Sequence, residues 1–155
     1  MRAIVQRVCR AQVTVDDEVV GRIDQGFCVL LGAGPTDTDD TARHLAGRIA
    51  TLRICADDAG KMHRDLVQTG GAALVISQFT LYADTARGHR PSFLRAGPPD
   101  LGARLCNTFM DALGGYGIPV EGGRFAAHMM VELVNDGPIT IALTSGEDPW
   151  KADAG

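Results

Sequence analysis

The chain has 155 residues, 45% of them hydrophobic and 22% charged, and a formal net charge of −4. That length suits one domain, with roughly two thirds of the unfolded chain's surface buried on folding, and the composition is globular, not disordered. An acidic balance excludes a protein that holds nucleic acid through bulk attraction to phosphate, so any RNA contact has to be local.

Val13-Thr14-Val15 and Val19-Val20 flank Asp16-Asp17-Glu18, which reads as a hairpin. Phe27-Cys28-Val29-Leu30-Leu31 is continuously apolar between Gly26 and Gly32, the pattern of a strand buried on both faces. Ala42, Leu45, Ala46, Ile49 and Ala50 recur at helical spacing behind Asp37 and Thr38, both possible N-caps, and predict an amphipathic helix over residues 38–53. Asp57-Asp58-Ala59-Gly60 is a turn. Ala72-Ala73-Leu74-Val75-Ile76 is a second buried strand that runs straight into Ser77-Gln78-Phe79-Thr80. After a polar loop through Arg87-Gly88-His89-Arg90-Pro91, Pro98-Pro99-Asp100 opens a second helix with Leu101, Leu105, Phe109 and Leu113 on one side, closed by Gly114-Gly115. Phe125, Ala127, Met129, Val131 and Leu133 alternate with Ala126, His128, Met130 and Glu132 as a half-buried strand. Asn135-Asp136-Gly137-Pro138 interrupts it, and Ile139, Ile141 and Leu143 alternate out of the turn as the last strand.

Strands before, between and after two main helices predict a single α+β domain over residues 1–146, built on a curled, mostly antiparallel, barrel-like sheet. The tail, frayed from Ser145, takes up residues 147–155. The first residues carry charge where a secretory signal needs an unbroken apolar stretch, and no apolar run reaches a membrane span, so a cytoplasmic protein with no membrane partner is expected. Cys9, Cys28, Cys55 and Cys106 are scattered without a C-x-x-C pair. They are expected to be reduced and mostly in the core, and neither metal nor cofactor is expected.

The commonest hydrolase and nucleotide-binding signatures are absent: no G-x-S-x-G, no P-loop, no H-E-x-x-H. Two polar segments at strand ends remain. Ser77-Gln78-Phe79-Thr80 sets two hydroxyls and an amide where a buried strand emerges, a usual place to meet ligand, although hydroxyls there also tie off a strand by bonding local backbone. Asn135-Asp136-Gly137-Pro138-Ile139-Thr140 by itself reads as a turn, with a trans proline by default, since only about 5–6% of X-Pro bonds in folded proteins are cis. His128 and Met129 read as strand residues.

In order and spacing, however, these segments resemble one family. Met1-Arg2-Ala3-Ile4-Val5-Gln6-Arg7-Val8, Gly60-Lys61-Met62, Ser77-Gln78-Phe79-Thr80-Leu81-Tyr82-Ala83-Asp84, Arg90-Pro91-Ser92-Phe93, Gly123-Arg124-Phe125-Ala126-Ala127 and Asn135-Asp136-Gly137-Pro138-Ile139-Thr140 look like the D-aminoacyl-tRNA deacylases over residues 1–144. The resemblance implies a hydrolase, acting on the ester between a D-amino acid and the terminal adenosine of tRNA, with glycine as a further substrate. It also implies a homodimer whose two active sites lie at the subunit interface, residues 77–81 of one chain facing the Gly137-Pro138 turn of the other. That bond would be cis, its carbonyls screening out an L side chain. Matched residue by residue, Ser77, Phe79 and Thr80 would be catalytic, Phe79 and Thr80 lining the scissile ester. Gln78 would meet the adenosine, and Met129, Gly137 and Pro138 would complete the substrate site. His63, His128 and Gly102 depart from the common family pattern.

An aminoacyl ester is an activated acyl group, so positioning and an oxyanion hole suffice without a strong nucleophile. The backbone N–H groups of Phe79 and Thr80 could form that hole, and Arg87, His89, Arg90 and Arg95 could hold the acceptor end. Two alternatives stay open: a non-catalytic nucleic-acid-binding module of the same fold, and an editing domain acting on L-aminoacyl esters.

Overall fold

The structure, a computed structural model, describes residues 1–86 and 88–146. The sheet is organised around β1 (Arg2–Val15), which pairs antiparallel with β3 (Gly26–Gly32) through its first half and with β2 (Glu18–Ile23) through its second. Along its other edge it pairs with β8 (Met130–Thr144). One strand can serve so many neighbours because its inward face changes phase: Ala3 and Val5 are buried, then Val8, then Ala11, Val13 and Val15. The phase step falls where the β1–β8 register shifts, between Gln6 and Arg10.

Two apolar cores result, and β3 separates them. Phe27 and Val29 join Ala3, Val5 and the helices on one face, while Cys28 on the other face joins Val8, Val13 and Leu74. β6 (Ala72–Ser77) splits in the same way, Ala73 and Val75 to the first core and Leu74 and Ile76 to the second. Both apolar runs are therefore strands covered on two faces.

α1 (Asp39–Ala50) begins at the Thr38 cap, whose hydroxyl accepts from the Thr41 N–H. It buries Ala42, Leu45, Ala46, Ile49 and Ala50 against the sheet and against α3 (Pro99–Gly114), which contributes Leu105, Phe109 and Leu113. Between β3 and β6 come also a small hairpin, β4 (Cys55–Ala56) with β5 (Met62–Arg64), and the one-turn α2 (Leu66–Thr69). Because helices intervene, β3 with β6 and β6 with β7 (Val120–Gly122) pair in parallel, so the sheet is mixed although the pairings of β1 are all antiparallel. β2 curls back toward β7 so closely that a Cβ on Gly21 would lie 2.7 Å from the Gly122 carbonyl oxygen, which nearly closes a barrel. No helix among the described residues is long and apolar enough to cross a membrane.

Three sequence expectations are corrected. Residues 125–129 are not strand: after β7 the chain turns, with Ala126 at φ 62 and the Ala127 N–H on the Arg124 carbonyl at 3.2 Å, before β8 starts at Met130. The periodicity there was that of a chain crossing from β7 to the far edge of β1. Second, Asn135 to Thr140 does not divide two strands but bulges out of one, since Val8 pairs with Asn135 and Gln6 with Thr140. Third, Ser145 is held, its N–H on the Met1 carbonyl at 3.0 Å. The tail proper, residues 147–155, lies outside the described residues.

Candidate active site

β6 ends on the rung where Ser77 pairs with Leu31, and the Gln78 N–H still donates to the Leu31 carbonyl at 2.7 Å. Residues Phe79–Tyr82 then wind a tight 3-10 turn, with the Leu81 N–H on the Gln78 carbonyl at 3.2 Å. The first N–H groups of such a turn have no carbonyl behind them. Gln78 does not cap the turn with its side chain, and neither the Phe79 nor the Thr80 N–H finds an acceptor among the described residues. The Gln78 amide donates instead to the Thr80 hydroxyl oxygen, which leaves the Thr80 hydroxyl proton free to point elsewhere.

The turn is held from below. Arg2 Nη1 donates to the Leu81 carbonyl at 2.8 Å, and its guanidinium lies 4.4 Å from the centre of the Tyr82 ring. Burial, with the Asp37 carboxylate beside it, keeps the Tyr82 phenol well above its ordinary range, so it remains a neutral donor to Asp37 at 3.3 Å.

Beside Ser77 a cleft of about 70 Å³ opens between the end of β6 and α3, lined by Ala103, Cys106, Met110, Gly123 and Phe125. Burial pushes the Cys106 thiol up to about 11, which makes it a lining group and not a nucleophile. Met129 lays its sulfur over Gly123, where any Cβ would run into it, and packs with Ile76 against the second core. A larger cleft of about 250 Å³ lies between β1, β2 and β8, lined by none of the motif residues. There Gln12 bridges Glu132 at 2.8 Å and Arg22 at 2.7 Å, so the polar groups satisfy one another.

Gly137 and Pro138 are elsewhere. The Gly137-Pro138 peptide is cis, Gly137 has φ 133, and both residues are exposed on the bulge of β8. Asn135 Oδ1 takes the Ile139 N–H at 2.9 Å across the bulge, and Arg7 takes Asp136. Ser77 stands three strands away on the rung Leu143, Ala3, Leu31 and Ser77, whereas the bulge lies between the rungs of Gln6 and Val8. At about 3.3 Å per residue and 4.8 Å per strand the segments are roughly 20 Å apart. One chain thus brings Ser77, Gln78, Phe79 and Thr80 together, sets Met129 behind them against Ile76 and Gly123, and does not bring Gly137 and Pro138 to them.

With this geometry in place, comparison with known proteins decides the class. Residues 4–144 match the family described as D-Tyr-tRNA(Tyr) deacylase, and the chain belongs to that family. It is 57% identical over 145 residues to a D-aminoacyl-tRNA deacylase of Roseiflexus sp., covering 94% of each chain. It is 56% identical over 143 residues to the one of Deinococcus radiodurans, covering 92% of this chain and 99% of that one. Among solved structures, one described as c-Myc DNA unwinding element binding protein superposes with a TM-score of 0.87 at 37% identity, over 94% of this chain and 99% of the other. Another, of a probable eukaryotic D-amino acid tRNA deacylase, shares the fold with a TM-score of 0.81 at 18% identity, over 92% and 97%.

Sequence reasoning gave Arg7 no role; its half-burial in β1 appears only in the structure, and the sequence signal was an arginine set between Val5 and Val8. Of the basic residues expected near the site, His89, Arg90 and Arg95 are exposed on the loop after the turn, and Arg87 lies outside the described residues. Of the departures from the family pattern, His63 contacts Arg53 through its carbonyl at 2.8 Å, His128 is exposed, and Gly102 lies against the Phe125 ring.

Proposed function

We propose that the protein is a cytoplasmic D-aminoacyl-tRNA deacylase that hydrolyses the ester joining a D-amino acid, or glycine, to the 3′-terminal adenosine of tRNA. The observation that carries this reading is the pair of unbonded N–H groups, Phe79 and Thr80, at the exposed end of a buried strand in a chain of the deacylase family. They are an oxyanion hole for the tetrahedral intermediate, in which donors fixed by the fold stabilise developing charge without reorganising. The Thr80 hydroxyl, taken up on its acceptor side by Gln78, is left to donate to the oxyanion or to orient water. Water is the nucleophile, because among the described residues no base is hydrogen-bonded to Thr80 or Ser77, and the Cys106 thiol is held protonated. The ribose 2′-hydroxyl next to the ester assists the attack.

The working unit in this proposal is a homodimer. Residues 137 and 138 of one chain reach residues 77–81 of the other, which the roughly 20 Å between them within one chain supports. The outer edge of β8 supports it too: among the described residues β8 pairs only with β1, and Met130, Val131 and Val134 are exposed along it. The backbone carbonyls of residues 137 and 138 then stand across the pocket and exclude an L side chain, and glycine passes.

A non-catalytic nucleic-acid module is the second reading, favoured by the DNA-binding name of the relative at 37% identity. The net charge of −4 speaks against broad phosphate binding. Release of amino acid from D-Tyr-tRNA, L-Tyr-tRNA and Gly-tRNA tests all readings together. Hydrolysis of the D and glycyl esters with the L ester spared is expected; an inert D ester refutes the enzyme, and equal loss of D and L refutes the screen.

A further inference from the structure

Two large rings beside the catalytic turn belong to neither core. Phe79 and Phe93 meet edge to face, centroids 5.1 Å apart at 74°, and remain 57% and 38% exposed, with the neighbouring Leu94 more exposed still. Phe93 is presented by a loop that is tied down at both roots. Asp84 and Ser92 exchange backbone hydrogen bonds of 2.8 and 2.9 Å, Arg95 reaches the Asp84 carboxylate at 3.2 Å, and the Gly97 N–H donates to the Ala33 carbonyl at 2.8 Å. A Cβ on Gly97 would come 2.9 Å from the Gly34 carbonyl oxygen, so that root lies flat on the body of the protein.

The same loop concentrates basic residues in an acidic chain. Residues 85–99 contain Arg87, His89, Arg90 and Arg95 and no carboxylate. His89 and Arg90 are exposed and make no ion pair among the described residues. Bare aromatic faces on a loop with an exposed guanidinium and imidazole are the combination that takes single-stranded nucleic acid, the bases stacking on the rings and the phosphates meeting the basic side chains.

We infer that Phe93 is the stacking surface for the nucleotide preceding the terminal adenosine, the penultimate cytidine of the acylated RNA, with Arg90 and His89 on the phosphate between the two. This rests on the deacylase reading, which sets the adenosine at Gln78. Phe79 follows Gln78 in the chain and its ring meets that of Phe93, so a strand leaving the adenosine finds a second aromatic surface at Phe93. The subsite is sequence-tolerant, because every base offers a face to stack.

The test compares wild type, Phe93→Ala and Phe93→Tyr on O-D-tyrosyl adenosine, O-D-tyrosyl CpA and D-Tyr-tRNA, together with equilibrium dialysis of uncharged CpA and adenosine. Phe93→Ala is expected to raise KM for the CpA ester and the tRNA roughly fivefold or more, with kcat and both constants for the adenosine ester unchanged, and Phe93→Tyr to restore them. Uncharged CpA should bind wild type better than adenosine, an advantage that Phe93→Ala abolishes. Equal losses on the adenosine and CpA esters mean that Phe93 only props Phe79, and a shift of Phe93→Ala toward monomer in sedimentation means that the rings seat a second copy; either overturns the inference. If wild type hydrolyses none of the esters, the deacylase reading fails, and the dialysis still decides the subsite.

Discussion

Arg7 holds Asp136 twice, its Nε 3.2 Å from the backbone carbonyl and 3.1 Å from the carboxylate, while its Nη1 donates to the Ile54 carbonyl at 2.7 Å. One guanidinium therefore ties the bulge that carries Gly137 and Pro138 to both β1 and the segment leading into β4. The contacts come from two nitrogens held apart in one plane, whereas an ammonium gathers its three donors on a single atom and cannot span the same acceptors.

The side chain is only 13% exposed, so its removal leaves carbonyls in poorly solvated surroundings. Hydrogen bonds to a charged group are worth about 1.5–3 kcal/mol each in such settings. Arg7→Ala should lower the urea midpoint by an amount equal to about 2–3 kcal/mol, and should cost deacylation of D-Tyr-tRNA at least tenfold. Arg7→Lys should recover part of the stability and little of the activity. Wild-type activity in both variants would show that the clamp does not position the bulge.

Acid stability gives a second test, through Asp37. Burial by itself would raise this carboxyl, but hydrogen bonds from the Met1 ammonium and the Gly34 N–H, the ammonium's charge and the Ser145 hydroxyl outweigh it and hold the group below its ordinary 3.8. A folded-state value below the unfolded one means stabilisation that is complete above the unfolded value and lost as pH falls through the folded one. Asp37→Asn should therefore lower stability at neutral pH and flatten the loss below about pH 4. Denaturant midpoints across the acid range check this, and parallel profiles for the two proteins would refute it.

How the sequence prefigured this molecule differs between its parts. The apolar runs before Gly32 and before Ser77 announced strands buried on both faces, since nothing but two covering layers tolerates such continuity. The cap at Thr38 and the spacing of Leu45 and Ile49 fixed α1 as clearly. By contrast, β7 has three residues and no periodicity to show, and the alternation of residues 125–129 mimicked a strand because a turn with a left-handed Ala126 leaves no mark in hydropathy. The proposed site divides the same way. Its polar segment, Ser77, Gln78, Phe79 and Thr80, stood out at the end of an apolar run, whereas the roughly 20 Å between the Ser77 rung and the bulge depends on strand order, which local pattern does not encode.

Gly102 offers a test of packing. It lies in the second turn of α3, where glycine costs about 0.8–1.0 kcal/mol relative to alanine. A Cβ there would meet the Phe125 ring at 3.3 Å, tighter than ordinary contact, but that ring is 42% exposed and can move aside by a few tenths of an ångström. Helix propensity should win. Gly102→Ala is expected to raise Tm by about 2–4 °C, read by calorimetry, and a fall in Tm would mean that the Phe125 ring cannot yield.

At Thr80 geometry separates two mechanisms. In the water-attack scheme the backbone N–H groups of Phe79 and Thr80 bind the oxyanion whatever side chain stands at position 80, and the hydroxyl adds one donor. Loss of a single donor from such a hole typically costs about 10²–10³ in rate. Thr80→Ala should therefore keep a measurable kcat, reduced within that range, and Thr80→Ser should recover most of it because the hydroxyl can still accept from the Gln78 amide. Gln78→Glu would replace that donor with an acceptor and should turn the hydroxyl proton toward the carboxylate, away from the ester, lowering kcat about as far as Thr80→Ala does. In the alternative scheme Thr80 attacks the ester itself, and then Thr80→Ala abolishes turnover while quenched wild-type enzyme carries a D-tyrosyl ester on Thr80. Mass spectrometry of acid-quenched single turnovers distinguishes them: no adduct is expected, and an adduct on the peptide containing Thr80 would overturn the water-attack scheme.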